Sequence, residues 1–504
     1  MQDKAGTDGD GQRGPAALAS TSARPLEESQ PASAVGIGGV LALFTATTFL
    51  SALLLFSVQP MFAKMVLPIL GGSPSVWAVA MLFFQAALLA GYCYAHLLIS
   101  TLRPWIGGLI HIAVCAAAAA ALPIGVPQSL GEPPPGDPVA WQLMLFAVGV
   151  GMPFFAVSAN APLLQAWFAA SGHPHGNDPY FLYGASNLGS LLALLAYPLV
   201  LEPAFGVGAL ARFWAAGFIA LIALIVLSLF AVRRADTARA GNFRSVSAAA
   251  PAATASVQEA APPGWARRLG WVGLAFVPSA LLTAFTNHIT MDVASAPLLW
   301  VLPLALYLLT FVLVFRDRPI ALVPSLVLVM LVGGACWSFF SERLLGAESS
   351  RFGMIAEGMF LALVFLVAQR WVLKASSMDG LRAVHIATLV LALLALAQTE
   401  HEGWFITAST GVAVFFASTM VAHRTLYETR PSASRLTEFY LLMSLGGVLG
   451  GVFAALIAPR VFSQIYEYPI LLALTVACRP GALSLRFGRA QMDSLLVLWL
   501  IVAA

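Results

Sequence analysis

The sequence predicts an all-α fold, a polytopic transmembrane helix bundle of about 14 helices in two halves, from three observations. Hydrophobic residues fill 60% of the 504 positions and charged ones only 10%, against roughly 45–50% and about 25% in soluble domains. Apolar runs of about 20 residues, the length that crosses a bilayer, recur along most of the chain. A polar stretch rich in Ala, Ser and Pro interrupts them near the middle. These features exclude a water-soluble globule, and a net charge of +3 gives no reason to expect a nucleic acid partner.

Residues 1–34 are rich in Ala, Gly, Ser and Pro without an apolar core, so they read as a disordered cytoplasmic tail rather than a signal peptide. The N-terminal membrane half, 35–232, offers six spans, near 35–59, 76–98, 105–124, 139–160, 180–201 and 210–231. A cytoplasmic linker at 233–268 follows. The C-terminal half, 269–478, offers eight more, near 269–290, 298–315, 320–340, 353–371, 383–398, 404–422, 436–458 and 461–478. Residues 479–504 form a basic tail whose apolar end, from Leu495, is too short to cross about 30 Å of hydrocarbon.

Charge sets the orientation. With the N-terminus inside, only Lys64, Arg212, Arg343, Arg351 and Arg460 of the 26 Lys and Arg fall outside. Positive residues favour the cytoplasmic side, so the chain is expected in a plasma (inner) membrane with its N-terminus cytoplasmic. The four cysteines lie in apolar runs without C-x-x-C spacing and read as small buried hydrophobes.

Two pairs of segments hint at a repeat. Pro74-Ser-Val-Trp77 opens the second helix and Pro297-Leu-Leu-Trp300 the eighth; Tyr180-Phe-Leu-Tyr183 to Ser190 opens the fifth and Phe439-Tyr440 to Gly447 the thirteenth. Members of a pair run in the same direction, so the repeat would be parallel, as in the two halves of major-facilitator transporters.

These stretches resemble a known family, the multi-pass membrane proteins described as fused major-facilitator/spermidine-synthase proteins. The resemblance rests on Gln59-Pro-Met-Phe-Ala-Lys-Met-Val-Leu-Pro68, Leu70-Gly-Gly-Ser-Pro74 with Trp77, Asp178-Pro-Tyr-Phe-Leu-Tyr183 with Ala185-Ser-Asn-Leu-Gly-Ser190, Pro297 to Tyr307, and Leu436 to Gly451. It implies a transporter-like protein for a small, polyamine-like cation. The soluble aminopropyltransferase domain that follows in longer members is missing, so the chain is not expected to be an enzyme. The one glycine-rich match, Gly446-Gly447 to Gly450-Gly451, lies in an apolar helix and reads as close helix packing. Where the family has polar residues after Trp77, this chain has Ala78-Val79.

The site residues expected from the sequence are a substrate path or gate of Lys64, Gln85, Asn187, Asn287, His288, Asp292 and Glu357. Lys64 either snorkels to water or faces an internal path. Asn287, His288, Thr290 and Asp292 hold the corresponding place in the second half, where a Lys64–Asp292 pair with His288 beside it would form a gate; alternatively, Asp292 caps a turn. Gln85, Asn160 and Asn187 read first as interhelical hydrogen-bond glue. Glu438 meets a helix dipole, and Glu357 is a further proton-site candidate. His173-Pro-His175 and Asp178 match no usual zinc spacing, and no triad, phosphate loop or His-Glu-x-x-His occurs. No cofactor or metal is expected. The expected partners are the lipid bilayer, a small cationic solute and a separately encoded soluble aminopropyltransferase. That last partner would make the chain a membrane scaffold without transport.

Overall fold

In the computed structural model, residues 34–131, 133–134, 139–171, 173–177, 180–246, 263–292, 300–315, 377–396, 404–432 and 435–480 are described, and all regular structure among them is helical. In chain order, α1 is Ala34–Leu70, α2 Pro74–Thr101 and α3 Pro104–Ala119. Next come α4, Val139–Ala170, and α5, which begins as Tyr180–Ala196 and continues to Ala204. Helix α6 is Val207–Val246, α7 Trp265–Asp292 and α8 Val301–Val314. The last four are α9, Ser377–Leu396, α10, Trp404–Glu428, α11, Leu436–Val461, and α12, Glu467–Cys478. Seven of these are long and apolar enough to cross a membrane, and the chain is a multi-pass membrane protein.

Proline shapes the long helices. Each described wide, π-type turn, at Ala147–Gly151, Tyr197–Leu201 and Phe453–Ile457, surrounds the residue four before a proline: Pro153, Pro203 and Pro459. A proline ring collides with that carbonyl and offers it no N–H, so the helix widens there instead of breaking. The expected spans 320–340 and 353–371 lie outside the described residues. Several bounds also differ from expectation. Helix α1 runs on through Pro60 and Pro68, which places Lys64 within it. Helix α4 passes Asn160 and Pro162 instead of ending there, and α6 continues to Val246, into the expected linker; its Ala-rich continuation favours helix.

Helix pairing follows a pattern. Helix α1 packs on α4, α5 and α6, while α7 packs on α10, α11 and α12; across the middle, α2 meets α11 and α5 meets α8. Exchanging α1 with α7, α2 with α8, α4 with α10, α5 with α11 and α6 with α12 turns each of these pairings into another one present. Glycine makes the closest approaches: a Cβ at Gly189 of α5 would sit 2.6 Å from the Phe49 carbonyl oxygen of α1, and one at Gly446 of α11 would run into the Val272 carbonyl of α7. Gly450 meets the Phe276 carbonyl in the same way. The glycine-rich stretch is therefore a packing surface, as small residues are between membrane helices.

Candidate functional site: a central cavity

Helices α1, α2, α4, α5, α7, α8 and α11 surround a cavity of about 170 Å³. Its wall is built twice. Phe56 and Gln59 of α1 line it, and so do Ser279 and Leu282 of α7, each 223 residues further along the chain. The same 223-residue step carries Met81, Phe84, Gln85 and Leu88 of α2 onto Leu304, Tyr307, Leu308 and Phe311 of α8. From α5 to α11 the step is 257 residues, and it carries Ser186, Asn187 and Ser190 onto Met443, Ser444 and Gly447. The glycine contacts obey the same steps, Phe49 to Val272 and Gly189 to Gly446.

Equivalent residues also touch each other at both ends of the cavity. Trp77 and Trp300, 223 residues apart, stack with ring centroids at 6.5 Å and planes at 29°. Tyr183 and Tyr440, 257 apart, stack at 5.3 Å and 21°. Two equivalent side chains can meet only near the axis that relates them, so a pseudo-two-fold axis runs through both stacks with the cavity between them. All four rings are buried. The Tyr440 hydroxyl additionally donates to Gln165 Oε1 of α4 at 2.9 Å.

Equivalent positions do not carry equivalent chemistry. Gln59, Gln85 and Asn187 on one side face Leu282, Leu308 and Ser444 on the other, so the amides belong to α1, α2 and α5. Among the described residues the lining holds no Asp, Glu, Lys, Arg or His. Several hydroxyls are tied to backbone: Ser158 donates to Phe155 O at 2.7 Å, Ser190 to Ser186 O at 2.9 Å and Ser279 to Gly447 O at 2.9 Å. Because the Ser279 proton is committed to Gly447, its oxygen must accept from Gln85 Nε2, at 3.1 Å, and this fixes the orientation of the Gln85 amide. Four buried wall atoms find no partner among the described residues: Thr48 Oγ1, Gln85 Oε1, Asn187 Nδ2 and Ser444 Oγ. Each such orphan costs about 1–3 kcal/mol.

Of the residues expected from the sequence, Gln85 and Asn187 line the cavity, and Lys64, Asn287 and His288 are not among its described lining residues. Lys64 forms an ion pair with Glu202 at the end of α5. Helix α5 packs along α1 and brings that carboxylate alongside; with both groups partly exposed, the pair is worth about 0–1 kcal/mol. Asp292 is the last residue of α7 and its side chain lies outside the described residues, as does the whole of Glu357. Asn287 is the 223-residue equivalent of Lys64. His288 stacks on Tyr468 of α12 with centroids at 4.9 Å. Asn160 Oδ1 meets His111 Nε2 at 2.8 Å, binding α4 to α3 as interhelical glue. Glu438 pairs with Arg268 at 2.7 Å and Arg435 at 3.5 Å, a structural role at the start of α11. Sequence reasoning missed Thr48, Ser279 and Ser444 in the wall. The signal that finds Ser444 is its 257-residue step from Asn187.

No family model matches the sequence, and no curated protein matches it. Among solved structures, the chain is similar to the major-facilitator proton:xylose symporter XylE bound to 6-bromo-6-deoxy-D-glucose, with 12% identity over 89% of this chain and 96% of that one and a TM-score of 0.39. It is likewise similar to the inward-open xylose transporter XylE from E. coli, with 13% identity over 86% of this chain and 99% of that one and a TM-score of 0.35. A third likeness is to the POT family transporter PepTSo, at 13% identity, 92% and 96% coverage and a TM-score of 0.38. Overlaps this loose carry no weight for the function of this chain, which has to come from its own cavity.

Proposed function

We propose that this protein is a membrane carrier that moves a small solute by rocking one helical half, 35–232, against the other, 269–478, about the axis through the two aromatic stacks. One observation carries the reading: the cavity lies on that axis and has a self-paired stack at each end, Trp77 with Trp300 and Tyr183 with Tyr440. Opening either stack while the other stays closed would expose the cavity to one side at a time, which is what alternating access needs. The wall also favours carriage over catalysis, because Ser158, Ser190 and Ser279 donate to backbone carbonyls and no acid–base pair lines it among the described residues. The positive-inside bias assigns the N-terminus to the cytoplasmic side of a plasma (inner) membrane.

The test needs no knowledge of the solute. With Cys93, Cys115, Cys336 and Cys478 replaced, a Ser444→Cys protein in sealed vesicles is exposed to a membrane-impermeant maleimide from either face. A carrier is labelled from both, and cross-linking cysteines placed at positions 77 and 300 suppresses labelling from the Trp77 side alone. Labelling from neither side, or from one face only, contradicts alternating access and favours a scaffold for a soluble aminopropyltransferase.

A further inference from the structure

Tyr183 and Tyr440 close one end of the cavity by stacking, and two hydrogen bonds cross between the helical halves beside them. We infer that these bonds latch that end shut, with Gln165 of α4 and His96 of α2 as the positioning residues; the inference rests on the carrier reading.

The latch follows from helix spacing. Residues three and four apart share a face of an α-helix. On α11, Gly447 and Ser444 line the cavity, and the same face continues toward the start of the helix through Tyr440 and Thr437. On α2 it runs from Leu88 and Tyr92 in the wall to His96, and on α4 from Ser158 and Ala161 to Gln165. Each helix therefore sets a polar group one turn beyond its last wall residue, and there the groups meet. The Tyr440 hydroxyl donates to Gln165 Oε1 at 2.9 Å, and His96 Nδ1 shares a hydrogen bond with Thr437 Oγ1 at 2.8 Å. The first bond joins α11 to α4 and the second joins it to α2. Between the two latch residues of α11, Glu438 is held by Arg268 of α7 and by Arg435, which fixes the first turn of α11 within its own half.

Position and strength make these bonds a latch. The close contacts of Gly189 with Phe49 and of Gly446 with Val272 each lie within one half and stay made when the halves rock. The bonds of Gln165 and His96 cross the boundary, so opening this end has to break both. A side-chain hydrogen bond is modest in net terms, and losing one shifts a two-state ratio about fivefold. That is enough to bias which end is closed at rest and small enough to be broken in every cycle. The bond from Tyr440 also serves the stack. With its hydroxyl tied to Gln165, the buried Tyr440 ring is held at a fixed tilt between Tyr183 and Tyr92, whose ring centroid lies 6.3 Å away.

The experiment uses the full-length chain in sealed vesicles, in the cysteine-replaced Ser444→Cys background, with rates of maleimide labelling read from each face. Tyr440→Phe keeps the ring and removes the donor. It is expected to raise labelling from the Tyr183 side about fivefold and not from the Trp77 side. Gln165→Leu is expected to do the same, and the two together no more than either alone, because they break one bond. Thr437→Val breaks the other bond and is expected to add a further increase to Tyr440→Phe. Unchanged rates, or an equal rise from both faces, overturn the latch. Should Gln165→Leu fail to fold, Tyr440→Phe carries the same test with every ring contact kept. The two readings fail separately. A parent protein labelled from both faces and unaffected by Tyr440→Phe keeps the carrier and removes the latch. A parent labelled from the Trp77 side alone, whose Tyr183 side is opened by Tyr440→Phe, keeps the latch and defeats the carrier.

Discussion

The two walls of the cavity occupy equivalent positions and differ in what they present. Backbone geometry is shared down to the carbonyls that meet Gly189 and Gly446, yet Gln59, Gln85 and Asn187 stand where the other repeat has Leu282, Leu308 and Ser444. A duplicated scaffold needs the same close helix contacts in both copies, because those contacts are with main chain and no side-chain change elsewhere relieves them. A binding site has no such constraint. One wall can hold hydrogen-bonding groups and the other apolar surface, provided the solute is itself polar at one end. The comparison therefore separates positions that maintain the fold from positions that choose a ligand, and each can be broken in a distinct way.

The largest effect is expected where the walls agree. Gly446→Ala and Gly189→Ala both drive a methyl toward a carbonyl of the neighbouring helix, and overpacking of that kind costs about 1–3 kcal/mol. Gly184→Ala, one turn before Gly189 in sequence direction but with open space around it, is expected to be neutral or to stabilise by up to about 1 kcal/mol. Unfolding midpoints of the three proteins in one detergent make the measurement. Similar losses for Gly189 and Gly446 sharpen the equivalence; a loss confined to one would break it.

The next effect is expected where the walls differ, and its sign reverses between them. Gln85→Leu removes an orphaned acceptor and is expected to raise the stability of the empty protein by about 1 kcal/mol while weakening ligand binding. Leu308→Gln, at the equivalent position, introduces an amide into an apolar wall and is expected to lower stability by about 1–3 kcal/mol. Thermal unfolding without ligand checks both. If both substitutions shift Tm in the same direction, the two walls are not chemically distinct.

Much of the fold was legible because membrane burial leaves a coarse signal. Every expected span that falls within the described residues corresponds to a helix, and the glycine-rich run of α11 was recognisable as a packing surface. The helix ends were less legible. A proline such as Pro203 or Pro459 usually stops a helix in water, but here a wide turn absorbs it and the helix continues. Lys64 stands out in sequence, but the sequence does not show that its partner is Glu202, on the neighbouring helix α5. Gln85 and Asn187 were visible as polar residues in apolar runs, without any sign of which ones point together. The two sequence steps were present in the paired segments, Trp77 to Trp300 and Tyr183 to Tyr440; what was missing was which positions along them line one cavity.

The smallest effect concerns the stacks on the axis, and it tests whether the two repeats communicate there. Trp77 Nε1 donates to Gly72 O at 3.2 Å, while Trp300 Nε1 is buried without a partner among the described residues. Equivalent rings therefore sit in unequal surroundings, and single truncations would mix lost packing with these differences. A double-mutant cycle removes that mixture. With Trp77→Phe and Trp300→Phe, alone and together, each single change subtracts its own local terms and the remainder is the coupling across the axis. A stacked pair is expected to give about 0.5–1.5 kcal/mol of coupling, read from unfolding in detergent. The same cycle at Tyr183 and Tyr440 is expected to give a similar value if both ends are closed together. Coupling at one end only would mean that the protein rests open toward the other, and the axis would then be a hinge with a preferred side.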